Sequence, residues 1–320
     1  MAREAIPEPS LAATGARGVF SLMSLLQAHL ICSALVVVDL VARTWRFQWI
    51  LRGMRFRVPF VEVLALNSVG DAASAVTPLR LGGEPARLAA LTHAKVPLSA
   101  GIVAAVVEVL VMWPLVIAVA GWLALVYAPS WWRAAEPLLE NRVSGWWVWV
   151  AAILAAIAVT WWVAMRLSPR SDSAVQRGTR RAWAYYRRLS AWPLVASVPL
   201  TLVSLAARVA ILPVLALTLP SPPPMGPLIF ASLILTYGQL ALPTPSGAGL
   251  VEIGFLGGAA GDMGARYGSI LLVWRFYTTI LLVALGVVLG VRQYGADAAA
   301  AIMRGRSRAS DREGVDSGRP

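Results

Sequence analysis

The chain is poor in the residues that build most soluble active sites and metal centres. It has one cysteine, Cys32, and two histidines, His29 and His93, in 320 residues. A single cysteine excludes a disulfide within the chain, and these three residues lack the spacing of a metal-ligand cluster. Because no nucleophile lies near a histidine in the sequence, we expect neither an enzymatic activity nor a cofactor.

Charged residues are also scarce, and their scarcity excludes an ordinary soluble domain. Only 14% of the residues are charged, whereas 58% are hydrophobic, and the mean hydropathy is +0.68. Apolar runs of spanning length occur at 18–42, 98–127, 146–165, 191–219 and 268–291, and shorter interrupted apolar segments occur at 58–79 and 228–260. About 20 apolar residues are needed to cross a bilayer as a helix. We therefore predict an all-α, polytopic membrane helix bundle with about six spans and two opposed re-entrant hairpins.

The basic residues, 28 against 16 acidic ones, fall in blocks beside the predicted spans. Arg43 and Arg46 begin the block after the first span, Arg80 and Arg87 precede the second, and further blocks follow the third and the last. Loops rich in Lys and Arg stay in the cytoplasm. We predict a multi-pass protein of the bacterial inner membrane, with an external N-terminus and a cytoplasmic C-terminus. Next to a membrane, such blocks favour anionic lipids rather than nucleic acid as partners.

Both interrupted apolar segments contain residues that break helices. The stretch 242–254 reads LPTPSGAGLVEIG, so prolines and glycines precede a glutamate, Glu252, within an apolar context. Broken backbone inside a bilayer survives only where protein or a hydrated cavity satisfies it. The predicted breaks are Pro78, Gly82 and Gly83 in the first hairpin and Pro243, Pro245, Ser246, Gly247 and Gly249 in the second.

The two halves of the chain have a similar layout, which predicts an inverted repeat. The spacing from Arg43 to Glu84 nearly equals the spacing from Arg208 to Glu252. Transporters built from inverted repeats bind their substrate where the broken elements of the two halves meet. The predicted divisions are a polar tail (1–17), a membrane domain (18–294) with halves 18–127 and 191–294, a linker span 146–165 with a basic loop 166–190, and a largely disordered tail (295–320).

Five charged residues lie inside or next to the apolar segments and are the candidates for a substrate path. They are Glu84, Glu108, Arg208, Glu252 and Arg275. A charge near the bilayer centre costs about 2.5–3.5 kcal/mol on insertion scales, so it needs water or a partner. One interpretation is a polar groove for a lipid headgroup. The other is a pair of helix-tying ion pairs, Glu108–Arg275 or Glu252–Arg208. An i,i+4 pair of Asp39 and Arg43 is also predicted, at the membrane interface.

Four local motifs, in this order, resemble the flippase-like membrane family, which is the transmembrane region of lysylphosphatidylglycerol synthases and also occurs as stand-alone proteins. The motifs are RTWRFQWILR (43–52), LGGEPAR (81–87), PTPSGAGLVE (243–252) and VWRFY (273–277). The resemblance covers about residues 30–290. It implies movement of a polar lipid between leaflets, such as an aminoacylated phospholipid, a glycolipid or a hopanoid-type lipid.

The resemblance has two departures that bear on function. The family has an arginine after the glutamate of the second span, whereas here Glu108 is followed by Val109. No soluble synthase domain follows residue 310, so we expect any aminoacyl transfer to be done by another protein. The main prediction is a lipid flippase or related transporter. Its alternatives are a non-transporting subunit that docks a lipid synthase or a glycosyltransferase, and an intramembrane enzyme acting on lipid carriers.

Overall fold

The architecture is helical throughout the described part of the chain. The computed structural model describes residues 23–77, 80–127, 174–220, 222, 224–239, 264–296 and 298–299. In chain order the helices are α1 (Leu25–Gly53), α2 (Phe60–Val76), α3 (Gly83–His93), α4 (Leu98–Tyr127), α5 (Ala174–Arg188), α6 (Ala191–Ala216), α7 (Met225–Gly238), α8 (Gly264–Arg275) and α9 (Leu281–Tyr294), with a π-helical segment, Phe276–Ile280, between α8 and α9. The predicted all-α fold class is confirmed.

Four helical runs are long and apolar enough to cross a bilayer: α1, α4, α6 and the continuous run Gly268–Tyr294. Their outer faces expose large apolar side chains, among them Leu26 at 70%, Leu125 at 83% and Leu272 at 73%. Such exposure would be unfavourable in water, but it is the expected surface towards lipid. The chain is therefore a multi-pass membrane protein.

The first span is longer than the sequence predicted. It was expected to end at residue 42, before a cytoplasmic block of arginines, but α1 continues to Gly53. Its extension carries Arg46, which is only 2% exposed. The helix does not need to end at the membrane surface because Arg43 and Arg46 turn inwards to buried carboxylates. The other predicted spans, 98–127, 191–219 and 268–291, agree closely with α4, with α6 and with the run Gly268–Tyr294.

The helices of the two predicted halves interlock. α1 packs along α6 at the centre, α2 of the first half packs against α9 of the second, and α7 of the second half packs against α4 of the first. If a two-fold axis related α1 to α6, it would also relate the α2–α9 contact to the α7–α4 contact. The inverted repeat itself stays a prediction.

α2 and α3 form a helical hairpin, although not within residues 58–79 as predicted. α2 runs unbroken through Phe60–Val76, and α3 begins at Gly83, so the predicted breaks Gly82 and Gly83 lie at the start of α3. The Thr77 hydroxyl accepts a hydrogen bond from the backbone N–H of Gly82 at 2.9 Å and stabilises the turn. A 17-residue helix is about 25 Å long, which is short for a spanning helix.

Glycines set the position of this hairpin. A Cβ on Gly286 of α9 would lie 2.2 Å from the backbone oxygen of Ser68 in α2, and one on Gly290 would lie 2.8 Å from Val69. Glycines four residues apart allow two helix backbones to approach closely in a membrane. α9 therefore holds the first limb of the hairpin against the body of the protein.

The predicted basic loop 166–190 contains a helix. α5 packs Ala182 and Tyr185 against the apolar core beneath it, and Leu189 just after the helix does the same, while the arginines of α5 are exposed. The stacked rings of Trp183 and Tyr186 are also exposed. An apolar face opposite a basic one is typical of a helix lying in the membrane interface.

Several predictions concern residues outside the described ranges. They are the 1–17 tail, the linker span 146–165, the second hairpin's break at Pro243, Pro245, Ser246, Gly247 and Gly249 with Glu252, the break residue Pro78, and most of the tail 295–320. The first limb of the second hairpin is described, as α7.

Candidate functional site

Buried polar residues converge where α1, α4 and α6 meet. Asp39 of α1 is 3% exposed and Glu108 of α4 is 7% exposed. At about 1.5 Å per residue, Glu108 lies about 15 Å along α4 from Leu98, and Asp39 lies about 21 Å along α1 from Gly53. Both carboxylates therefore lie well inside a hydrocarbon layer about 30 Å thick.

Asp39 connects α1 to α6 and, through Arg43, to α2. Its Oδ2 lies 3.2 Å from Nε of Arg43 and 2.8 Å from Nε of Arg208, and its Oδ1 accepts a hydrogen bond from Ser204 at 2.5 Å. Arg43 also binds Asp71 of α2, with 2.8 Å between Nη1 and Oδ2. The predicted Asp39–Arg43 pair is present, but it is buried in the membrane domain rather than at its interface.

Glu108 is a second node, and it joins the hairpin to the spans. One carboxylate oxygen accepts from Arg46 of α1, and the other accepts from Nη2 of Arg87 in α3 at 2.6 Å. Arg46 also donates to the Thr201 hydroxyl of α6 at 3.1 Å. The guanidinium of Arg87 lies 4.4 Å from the ring centroid of Phe47, at cation–π distance. Four helices thus share one charged network.

Arg80 joins the two hairpins. It lies on the turn between α2 and α3 with φ of +57°, a left-handed conformation that side chains other than Gly, Asn and Asp adopt rarely. Its Nη1 donates to Oε1 of Gln239, the residue that ends α7, at 3.3 Å. A strained backbone that is held in place by surrounding structure often accompanies function.

These side chains enclose a cavity of about 190 Å³. Its lining is Arg43, Arg46, Asp71, Arg80, Glu84, Arg87, Glu108, Val109, Met112, Thr201, Ser204, Arg208, Thr236 and Tyr237. A second void of about 20 Å³ lies beside it and reaches Tyr277. Arg80, Arg208 and Thr236 line both spaces, so they form the wall between them.

The network leaves hydrogen-bond donors unused. Within the described residues, Nη2 of Arg43, Nε of Arg46 and Nε of Arg87 are buried and have no hydrogen-bond partner. An unsatisfied buried donor costs about 1–3 kcal/mol, and more for a charged group. Chemically, the cavity can offer N–H donors to the oxygens of a ligand.

Three of the five predicted path residues line this cavity: Glu84, Glu108 and Arg208. Arg275 is not among the lining residues, since its guanidinium lies beside the ring of Trp274, with 5.6 Å from Cζ to the centroid. Glu252 lies outside the described residues.

One of the predicted ion pairs needs correction, because Glu108 binds Arg46 and Arg87 rather than Arg275. Arg208 binds Asp39, and the predicted Glu252–Arg208 pair stays a prediction because Glu252 lies outside the described residues. The physical reason is that α1 and the α2–α3 hairpin lie closer to these residues than the span that carries Arg275.

The prediction that Arg43, Arg46, Arg80 and Arg87 face cytoplasmic headgroups was wrong. All four line the internal cavity. An arginine just beyond an apolar run has the same appearance in a sequence whether it reaches the interface or turns inwards. The available signal was Asp39, a carboxylate within the apolar run 18–42 that the sequence analysis placed at the interface.

No group of three or more His, Cys, Asp or Glu side chains in the described ranges could hold a metal ion.

Comparison with known proteins identifies the family of the chain. Neither the curated proteins nor the solved structures contain a match to the chain. The family model described as "Lysylphosphatidylglycerol synthase TM region" matches residues 10–286, which is most of the chain and includes every residue of the cavity. The chain is thus a multi-pass membrane protein related to lipid handling, and it belongs to the lysylphosphatidylglycerol synthase transmembrane-region family.

Proposed function

We propose that the protein is a flippase-like transporter that moves a polar or anionic lipid between the leaflets of a membrane. The lipid is an aminoacylated phospholipid, a glycolipid or a hopanoid-type lipid, and its headgroup passes through the central cavity. The single observation that carries the proposal is a polar cavity, lined by five arginines, deep inside helices whose outer faces are apolar.

The energetics support a functional role for these charges. Buried ion pairs contribute little net stability, because desolvation of both ions offsets their attraction. Ionisable residues inside membrane segments accordingly mark substrate paths more often than structural ties. Here the charges come from α1, α2, α3, α4 and α6, so the path runs between the two halves of the chain.

The volume of the cavity fits a headgroup rather than a whole lipid. At about 190 Å³ it is smaller than the roughly 300–1,000 Å³ of pockets that enclose a drug-sized molecule. In the proposed mechanism the acyl chains stay in the bilayer, beside the apolar outer faces of the helices, while the headgroup crosses. The protein forms no covalent bond with the lipid and acts as a transporter rather than an enzyme.

The proposed location is the bacterial inner membrane. The exposed basic residues of α5 and of the α1–α2 connection face the cytoplasm in this arrangement, together with the C-terminus. The α2–α3 hairpin then enters from the cytoplasmic side as a re-entrant element, and its tip meets α7 through Arg80 and Gln239.

Reconstitution in liposomes tests the proposal. Headgroup-labelled phosphatidylglycerol, lysylphosphatidylglycerol and a glycolipid are each followed across the bilayer with a membrane-impermeant quencher. We expect protein-containing liposomes to translocate at least one of these lipids faster than empty ones, and Glu252→Gln to slow the rate. Equal rates with and without protein over the whole panel would contradict the proposal.

A second candidate function is a membrane subunit that docks a lipid synthase or a glycosyltransferase without transporting lipid. One observation favours it: the three acidic residues that line the cavity, Asp71, Glu84 and Glu108, and Asp39 beside it each bind an arginine. A network that only ties helices together would have this appearance. It predicts no translocation in the liposome assay and co-purification of a lipid-modifying enzyme.

A further inference from the structure

The carboxylates of the cavity are occupied. Asp39 accepts hydrogen bonds from Arg208 and Ser204 and forms an ion pair with Arg43, and both oxygens of Glu108 are bound by arginines. Asp71 binds Arg43, and Glu84, which is at the exposed rim, binds Arg87. An ammonium group of a ligand would have to displace a guanidinium to reach any of them.

Arg80 differs from the other four arginines of the cavity. Arg43, Arg46, Arg87 and Arg208 each bind a carboxylate, whereas the hydrogen bond that Arg80 makes within the described residues is to the neutral side chain of Gln239. Its charged neighbourhood is mostly positive, with Arg43, Arg208 and Arg275 against Asp71. Within the described residues, the five arginines of the cavity face its three lining carboxylates and Asp39 beside them, and Arg80 is the arginine that binds none of the four.

We infer that Arg80 and Arg208, with the Thr236 hydroxyl, form a binding site for the phosphate of a lipid headgroup. These three residues line both the main cavity and the smaller void, so an anion held there sits at the wall between them. Guanidinium groups bind phosphate oxygens through charge-assisted hydrogen bonds. The Thr236 hydroxyl donates to the backbone oxygen of Ser232 at 2.7 Å, and it can donate to the anion after it turns away from that carbonyl. The assignment rests on the proposed function, and it names phosphate as the group that the transporter recognises.

The backbone at Arg80 allows an unusually clean test. Because φ is +57° at this residue, glycine fits the turn with less strain than arginine. Arg80→Gly therefore removes the guanidinium without weakening the turn. Arg55 provides a matched control, since it also has a positive φ (71°) but is exposed outside the cavity. Arg55→Gly removes the same charge from the same backbone conformation.

The experiment measures binding to purified wild type, Arg80→Gly and Arg55→Gly in an uncharged detergent. The probes are short-chain phosphatidylglycerol, an uncharged diglucosyl lipid and inorganic phosphate. We expect wild type and Arg55→Gly to bind phosphatidylglycerol at least about tenfold more tightly than the uncharged lipid. A factor of about ten corresponds to one charge-assisted hydrogen bond, which the uncharged lipid cannot make. Arg80→Gly should lose this preference while its thermal midpoint is unchanged or higher.

Three results would overturn the assignment. In the first, Arg80→Gly binds phosphatidylglycerol with the affinity of wild type. In the second, Arg55→Gly loses as much of the preference for phosphatidylglycerol as Arg80→Gly does. The third is inorganic phosphate binding as tightly as the lipid, which would identify a site for the free anion. The proposed function can fail separately from the assignment of the site. Phosphate-selective binding without translocation in liposomes would contradict the transporter but support the phosphate site. Translocation at equal rates for lipids with and without phosphate would support the transporter but contradict the site.

Discussion

Two buried carboxylates, Asp39 and Glu108, each bind two arginines inside the membrane domain. The stability of the protein is sensitive to the loss of either carboxylate. Removing one partner of a buried ion pair leaves a charge without compensation, whereas removing the whole pair is often tolerated. This asymmetry separates a role in stability from a role in transport.

The variant Glu108→Gln should be both less stable and inactive. It leaves the buried guanidinium of Arg46 without its carboxylate, so we expect a loss of about 3–5 kcal/mol in the free energy of unfolding. Thermal unfolding in detergent and lipid translocation in liposomes measure the two effects.

The double variant Arg46→Met/Glu108→Met shows whether the inactivity of Glu108→Gln comes from lost stability or from a role of the charges in transport. Two apolar side chains should recover most of the stability, because Arg87 keeps Glu84 as a partner. We expect translocation to stay lost. If the double variant is stable and transports lipid at the wild-type rate, the ion pair is only a structural tie.

At the scale of single residues, the sequence could show which charged residues lie inside the membrane but not which residues they bind. Glu108 lies in the middle of a long apolar run, and that alone marks it as functional. The i,i+4 rule also gave the Asp39–Arg43 pair. Arg46 and Glu108, however, are 62 residues apart, and no local rule brings them together. The inward turn of Arg43, Arg46, Arg80 and Arg87 depends on the same long-range packing.

Among the helices, the contact of α9 with α2 positions the hairpin that carries Arg80. The contact depends on Gly286, because a Cβ there would lie 2.2 Å from a backbone oxygen that cannot move away cheaply. Overpacking of a close contact costs about 1–3 kcal/mol. The hairpin tip would shift together with α2.

We expect Gly286→Ala to lower the thermal midpoint and to reduce translocation. Gly268→Ala, in the same helical run, is the control, since a Cβ there has no neighbour within 4 Å. Alanine is the better helix former, so this control should be as stable as wild type or more so. Equal effects of the two substitutions would show that the α2–α9 contact is not important.

The sequence predicted the helices better than their turns. An uninterrupted apolar run fixed 98–127 as a span, and α4 has these bounds. The first hairpin was assigned to 58–79, because Asn67 and Asp71 disfavoured a straight helix there, so α3 was left out of it, although the predicted breaks Gly82 and Gly83 lie where α3 begins. In the structure Asn67 is buried and Asp71 binds Arg43, so both polar residues are accommodated within a continuous helix.

For the whole molecule, the distribution of basic residues predicts which side faces the cytoplasm. Single cysteines at Arg188, Arg292 and Pro220, which are all exposed, report on this orientation. The native Cys32 is 0% exposed and should give little background. In intact spheroplasts, a membrane-impermeant maleimide should label Pro220→Cys, whereas Arg188→Cys and Arg292→Cys should react only after membrane disruption. The opposite pattern would reverse the proposed topology.

Family membership and a multi-pass helical fold leave the route of the headgroup as the central question. Met112 of α4 lines the cavity, whereas Leu110 of the same helix is 64% exposed on the lipid face. Tryptophan at 112 would fill the cavity without changing any charge. Tryptophan at 110 adds the same ring outside it.

Translocation of headgroup-labelled lipid by Met112→Trp, compared with Leu110→Trp, is the most direct measurement. With both variants folded and equally reconstituted, we expect Met112→Trp to lose most of the wild-type rate and Leu110→Trp to keep it. Wild-type translocation by Met112→Trp would mean that lipid headgroups do not pass through the arginine-lined cavity.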